Sequence, residues 1–163
     1  MKPTKLIASF FTLTFLILLI SSCGGSGDPA TYNNKLMELV NSNEQHINAM
    51  NQAMNTKDYK KAEEVRKGWE ADLTKNIEAA NKAGDFKGNT DFQKAVVNGL
   101  NAYKKIVTQD YKSLIELRSN QKSDAVSAAS SETVLLDNIN KTLEETANGL
   151  NKASADFEAK FAK

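Results

Sequence analysis

The chain has 163 residues, 25% of them charged and 40% hydrophobic, with a formal net charge of +1. That length suits one compact domain with a real core, and near-neutral charge of interspersed sign leaves no basic footprint for nucleic acid. Ala, Lys, Glu, Leu and Asn dominate and prolines number only 2, a composition of long helices rather than strands.

Lys2 and Lys5 precede Leu6 to Ile20, LIASFFTLTFLILLI, an uncharged run. It falls short of the roughly 20 residues that a spanning helix needs. A positive leader, an apolar run of this length and then small residues predict a secretory signal over residues 1–22. Its ending, Ile20-Ser21-Ser22-Cys23, resembles the bacterial lipobox: an aliphatic residue, two small residues and the cysteine that becomes the mature N-terminus. The resemblance implies cleavage between Ser22 and Cys23 and lipidation of the Cys23 thiol. The competing reading is an ordinary secretory signal, or an uncleaved anchor, with a stray cysteine beside it. Two or three acyl chains would hold durably, because each buried CH₂ contributes about 0.8 kcal/mol and one chain alone binds only marginally. Cys23 is the only cysteine, so a lipidated form keeps no thiol for a disulfide, a metal or nucleophilic attack.

Residues 23–28 read as the lipidated cysteine and a flexible Gly24-Gly25-Ser26-Gly27 tether. Asp28 is placed to cap a first helix with Pro29 at its first position. Tyr32, Leu36, Leu39, Val40, Ile47, Met50 and Met54 follow at three- and four-residue steps, with Asn43 as a polar interruption. After a break at Asn55-Thr56-Lys57, a second stripe runs through Tyr59, Ala62, Val65, Trp69, Leu73, Ile77 and Ala80, and Gly84 suits its C-terminus. Beyond the GDFKGN loop, Thr90-Asp91-Phe92-Gln93 matches a capping box. It opens a third stripe of Phe92, Val96, Leu100, Tyr103, Val107, Tyr111, Leu114 and Ile115. SNQKS (Ser119 to Ser123) reads as a turn. The fourth helix carries Val126, Leu136, Ile139, Leu143, Ala147, Leu150, Phe157 and Phe161, with Ser130 to Thr133 loosening its first turns. Residues 29–163 are thus expected to be all-α, an up-down-up-down four-helix bundle of long antiparallel helices joined by short turns.

A lipid anchor ahead of the first helix would put the Gly84 to Asn89 loop and the C-terminus at the membrane side. Phe86, Phe92, Phe157, Phe161 and Tyr32 then gather at that end. Phe86 has two candidate roles there: a plug that closes the core, or, with Lys87, a contact with the headgroup region.

Catalytic and metal motifs are scarce. His46 is the lone histidine; Asn43 stands where a di-iron bundle needs Glu, and zinc would need a second His. Met37, Met50 and Met54 share a helix with His46, so none can complete haem ligation from the opposite face. Glu63-Glu64 and Glu144-Glu145 are adjacent and diverge on a helix. Neither a G-x-S-x-G elbow nor a phosphate loop occurs. We therefore expect no catalysis, metal or cofactor. Asn34, Asn41, Asn48 and Asn55 recur every seven residues down helix one, away from Leu36. They form an ordinary solvated face or an uncharged stripe that meets a glycan or another protein. Trp69 and Tyr103 read as core rings.

The lipobox, DYKKAEEVRKGWEADL and the stretch from GDFKGNTDFQKAVVNGL to DYKSLIEL resemble an uncharacterised family of bacterial helical surface lipoproteins. The likeness covers most of the chain after the signal, with the Asp85-Phe86-Lys87-Gly88 turn its most recognisable element. It implies a helical bundle at the outer membrane or cell surface, facing the periplasm or the exterior, and brings no established activity or site residues. The chain is thus expected to be a non-catalytic, lipid-anchored envelope protein that binds a protein or glycan partner. The alternative is a carrier or sensor that holds a small apolar ligand in a cavity lined by Trp69, Leu100, Tyr103 and Ile139.

Overall fold

The computed structural model describes residues 27–120 and 125–162; the signal segment, the lipobox with Ser22 and Cys23, part of the SNQKS turn and Lys163 lie outside them. Among the described residues every regular element is helical, and one isolated bridge joins Phe86 to Asn89. The all-α expectation holds. The elements are α1 (Pro29–Asn41), α2 (Asn43–Asn55), α3 (Tyr59–Ala83), α4 (Asp91–Ile106), a π-turn (Val107–Tyr111), α5 (Lys112–Ser119) and α6 (Ala125–Phe161). They form four rods: α1 with α2, α3, α4 through the π-turn to α5, and α6.

The predicted starts are mostly made as the sequence suggests. The Asp28 carboxylate accepts from the Thr31 backbone N–H at 2.8 Å and from its hydroxyl at 2.7 Å, with Pro29 opening α1. Asp58 caps α3 by accepting from Lys61 N–H at 2.9 Å. The capping box at Thr90 does not form. Thr90 makes no side-chain cap bond; Asn89 Oδ1 accepts from Asp91 N–H at 3.2 Å instead. Gln93 turns away and donates to the Ala80 carbonyl at 3.2 Å, an acceptor freed in the last turn of α3.

Two helices expected to be continuous are interrupted. Between α1 and α2 the Leu39 carbonyl accepts from Ser42 Oγ at 2.9 Å, Asn43 Nδ2 at 3.2 Å and Asn76 Nδ2 at 3.2 Å. Side-chain donors thus compete with the backbone ladder. In the third rod Thr108 Oγ1 donates to the Lys104 and Lys105 carbonyls at 2.8 and 3.3 Å, entering the widened π-turn. The opposite correction applies to α6. It runs unbroken through Ser130 to Thr133, where Arg118 of α5 grips Glu132 Oε1 at 2.6 and 3.1 Å.

The core is one cluster centred on Trp69, Leu36, Met50, Leu73, Val96 and Leu100, all at 0% exposure. α1 meets α3, α4 and α6, whereas α2 lies along α3. α4 packs tightly on α6: a Cβ on Gly99 would stand 2.9 Å from Leu150 Cδ1. Cross-links between rods join Tyr32 to Gly84, Asn33 to Ser154, His46 to Asp72 and Arg118 to Glu132. No helix among the described residues is long and apolar enough to cross a membrane.

Candidate functional site

Asn43 is not a mere interruption of the apolar stripe. Its Oδ1 accepts from the Trp69 indole N–H at 2.7 Å and its Nδ2 donates to the Val40 carbonyl at 2.8 Å. A buried polar pair is thereby satisfied inside the core. His46 stacks on the same indole, with ring centroids 5.9 Å apart and planes 5° from parallel, and its Nε2 lies 3.2 Å from Asp72 Oδ2. The Lys75 ammonium, 3.0 Å away, and secondarily His46 hold the Asp72 carboxyl below the usual carboxylate range. His46 thus sits as a packing and hydrogen-bonding residue. Among the described residues no group of three or more His, Cys, Asp or Glu is placed to hold a metal.

At the other end of the core, Phe86 is 3% exposed and its ring lies 5.1 Å from those of Tyr32, Phe157 and Phe161. The turn explains the inward pointing. Phe86 and Asn89 exchange backbone bonds at 2.9 Å, Lys87 and Gly88 take φ of 51° and 81°, and Gly88 N–H donates to Asp85. Of the two roles open to Phe86, the ring takes that of plug. The alternative, a headgroup contact, would require the Phe86 ring to leave this cluster. Lys87 alone stays exposed, with Nζ 5.2 Å from the Phe86 centroid.

Three buried polar residues, Asn33, Ser154 and Arg66, escaped the sequence reading. Asn33, 1% exposed, accepts from Ser154 Oγ at 3.0 Å and donates to Glu158 Oε1 at 2.5 Å, tying the start of α1 to the end of α6. Its i,i+3 relation to Leu36 was the available signal. Arg66, at 6% exposure, is buried between Ala62 and Trp69 beside Val65, which packs partly buried against the core as expected. Its guanidinium donates to Glu63 at 2.7 and 2.8 Å and to Glu70 at 3.0 Å, and the Arg66 hydrogen bonds depress the Glu63 carboxyl. Acids three residues before and four after an arginine were the clue. The adjacent glutamates diverge as expected: Glu64 turns to Lys61 at 3.5 Å, and Glu145 lies 3.9 Å from Lys141. Burial raises the Tyr103 hydroxyl to about 12 and pushes the Tyr111 hydroxyl higher still.

The heptad amides all face solvent. Asn34 and Asn41 on α1 and Asn48 and Asn55 on α2 are exposed, and Gln45, Asn51 and Gln52 join them on α2. None of these seven side chains bonds to another described residue. From Gln45 to Thr56 the chain carries no Asp, Glu, Lys or Arg. At 100° per residue the five amides of α2 fall within an arc of roughly 120°, opposite buried Met50 and Met54.

No protein-family model, curated protein or solved structure matches the chain.

Elsewhere, an open groove of about 350 Å³ runs between α4 and α6, bordered by Ala95, Asn98, Gly99, Glu145, Gly149 and Leu150. Trp69, Leu100, Tyr103 and Ile139, named above as lining an interior ligand cavity, do not border it; they pack in the central cluster. The surface feature with the most uniform chemistry is the amide face of α2 over residues 45–56; the exposed acids Glu38, between Asn34 and Asn41, and Glu44, ahead of Gln45, border it.

Proposed function

We propose that the chain is a bacterial lipoprotein, cleaved before Cys23 and held at the outer membrane by acyl chains on that residue, with a non-catalytic role in binding an envelope protein or glycan. The carrying observation is the start of the helical body at Asp28 and Pro29. Only Gly24, Gly25, Ser26 and Gly27 separate it from Cys23, a reach of at most about 18 Å. Such a spacing would seat a bundle against a lipid surface. The finer arrangement we read is up-down-up-down and antiparallel. It is supported by cross-links in which residues early in the first rod meet residues late in the second, as Tyr32 meets Gly84 and Leu39 meets Asn76, and late in the fourth, as Asn33 meets Ser154. In that arrangement Lys87 sits on the anchored side and α2 on the far side. A carrier would require the packed side chains of Trp69, Leu100 and Ile139 to part, and nothing in the core favours that reading.

The test is the intact mass of the protein purified from native membranes. A chain beginning at Cys23 with added acyl mass is expected, and Cys23→Ala should stay unprocessed. A native chain beginning elsewhere, or a lipid-free Cys23, would overturn the proposal.

A further inference from the structure

We propose that the amide face of α2, extended by Asn34 and Asn41 of α1, is a docking surface for an uncharged, extended glycan bearing hydroxyl and N-acetyl groups. The partner class deepens the interaction role proposed above and rests on that reading only for its location at a cell envelope.

The face is unusual for an exposed helix. Gln45, Asn48, Asn51, Gln52 and Asn55 fill its solvent side, none bonds within the fold, and no ionised side chain interrupts residues 45–56. The chain as a whole is 25% charged. Asparagine is a mediocre helix former, and bonds within the fold do not explain its use here. Each amide offers donors and an acceptor, which matches hydroxyl and acetamido groups in both senses.

Charge and apolar content select the partner. A polyanion would be met by cations; the amides of residues 45–56 have none among them, and Glu38 and Glu44, which border the face, are acidic and would repel it. A protein partner would be anchored by aromatic or aliphatic side chains in a desolvated centre. Among the described residues the large hydrophobic side chain most open to solvent, Val134 at 56%, lies on α6, off this face. A hydrated neutral polymer needs neither. The repeat also fits: one heptad rises about 10.5 Å along a helix, comparable to one disaccharide of an extended 1,4-linked chain. Asn48 and Asn55 stand one heptad apart on α2, as do Asn34 and Asn41 on α1. Single contacts of this kind are weak, and many copies held on one surface would convert them to avid binding.

The experiment uses full-length protein extracted from bacterial membranes in mild detergent. Binding is measured to the hexamer of β-1,4-linked N-acetylglucosamine in solution and to the insoluble polymer, with heparin as the anionic control. Saturable binding of the neutral polymer and none of heparin is expected. The triple variant Asn48→Ala, Asn51→Ala, Asn55→Ala should lose at least about tenfold in affinity while its melting temperature is unchanged or higher, because alanine is the better helix former. A merely structural role for these residues would not separate the two readouts. A second variant, Gln45→Glu with Gln52→Glu, keeps side-chain shape, adds charge and should also abolish binding. Absence of neutral-glycan binding by the unaltered protein, equal binding by both variants, or capture of a protein by this face in place of the glycan would each sink the proposal. A lipid-free Cys23 would overturn the anchoring without touching this measurement.

Discussion

Asn43 and Trp69 show how one side chain decides the local structure around it. The indole N–H has a single acceptor, Asn43 Oδ1, at 2.7 Å. Asn43→Leu leaves that donor buried and unpaired, and should cost about 1–3 kcal/mol. A urea titration followed by helical circular dichroism should show a lower midpoint at unchanged slope. Adding Trp69→Phe, which removes the donor, should cost less than the sum of the two single changes. The tyrosines make a second prediction through their protons. Burial raises Tyr103 and Tyr111 above the ordinary 10.0, so the folded chain holds both protons more tightly than the unfolded one. Their contribution is complete below pH 10 and is lost as the pH rises from 10 toward about 12 and beyond, because the unfolded chain ionises first. Phenolate absorbance from these residues should therefore appear together with loss of helical circular dichroism. Tyr103→Phe should make the alkaline transition shallower.

Helix pairs respond to glycine according to what lies opposite. A methyl group at Gly99 would stand 2.9 Å from Leu150 Cδ1, whereas one at Gly149 meets no atom within 4 Å. Gly99→Ala should destabilise by about 1–3 kcal/mol through overpacking of α4 on α6. Gly149→Ala should stabilise by roughly 0.5–1 kcal/mol, since glycine in a helix interior gives up more freedom on folding; thermal melts of the pair decide both. The same contrast explains which elements were readable in the sequence. Asp28 with Pro29 announces the start of α1 through contacts within three residues, and that start is found. The break at Ser42 depends on Asn76 from α3, and the failure of the Thr90 capping box depends on Ala80. Local spacing holds no record of either partner. Arg66 was likewise hidden, because a charged residue at a core position is recognisable only with Glu63 and Glu70 folded around it.

For the molecule as a whole, the apolar stripes were sufficient to predict the all-α class and the aromatic end. The heptad asparagines marked the candidate surface but not its breadth, since Gln45, Asn51 and Gln52 fall off the seven-residue repeat and join the face only through the twist of α2. The proposed anchor and the proposed docking surface occupy one rod. Tension between them would run down α1 into α2 and bypass the other three rods. The narrowest section of that line is Ser42, where side chains replace part of the ladder on the Leu39 carbonyl. Asn76 spans the gap from α3, holding both Leu39 and Ser42. Under load α3 would act as a splint, and the joint rather than the core would be the first part to yield.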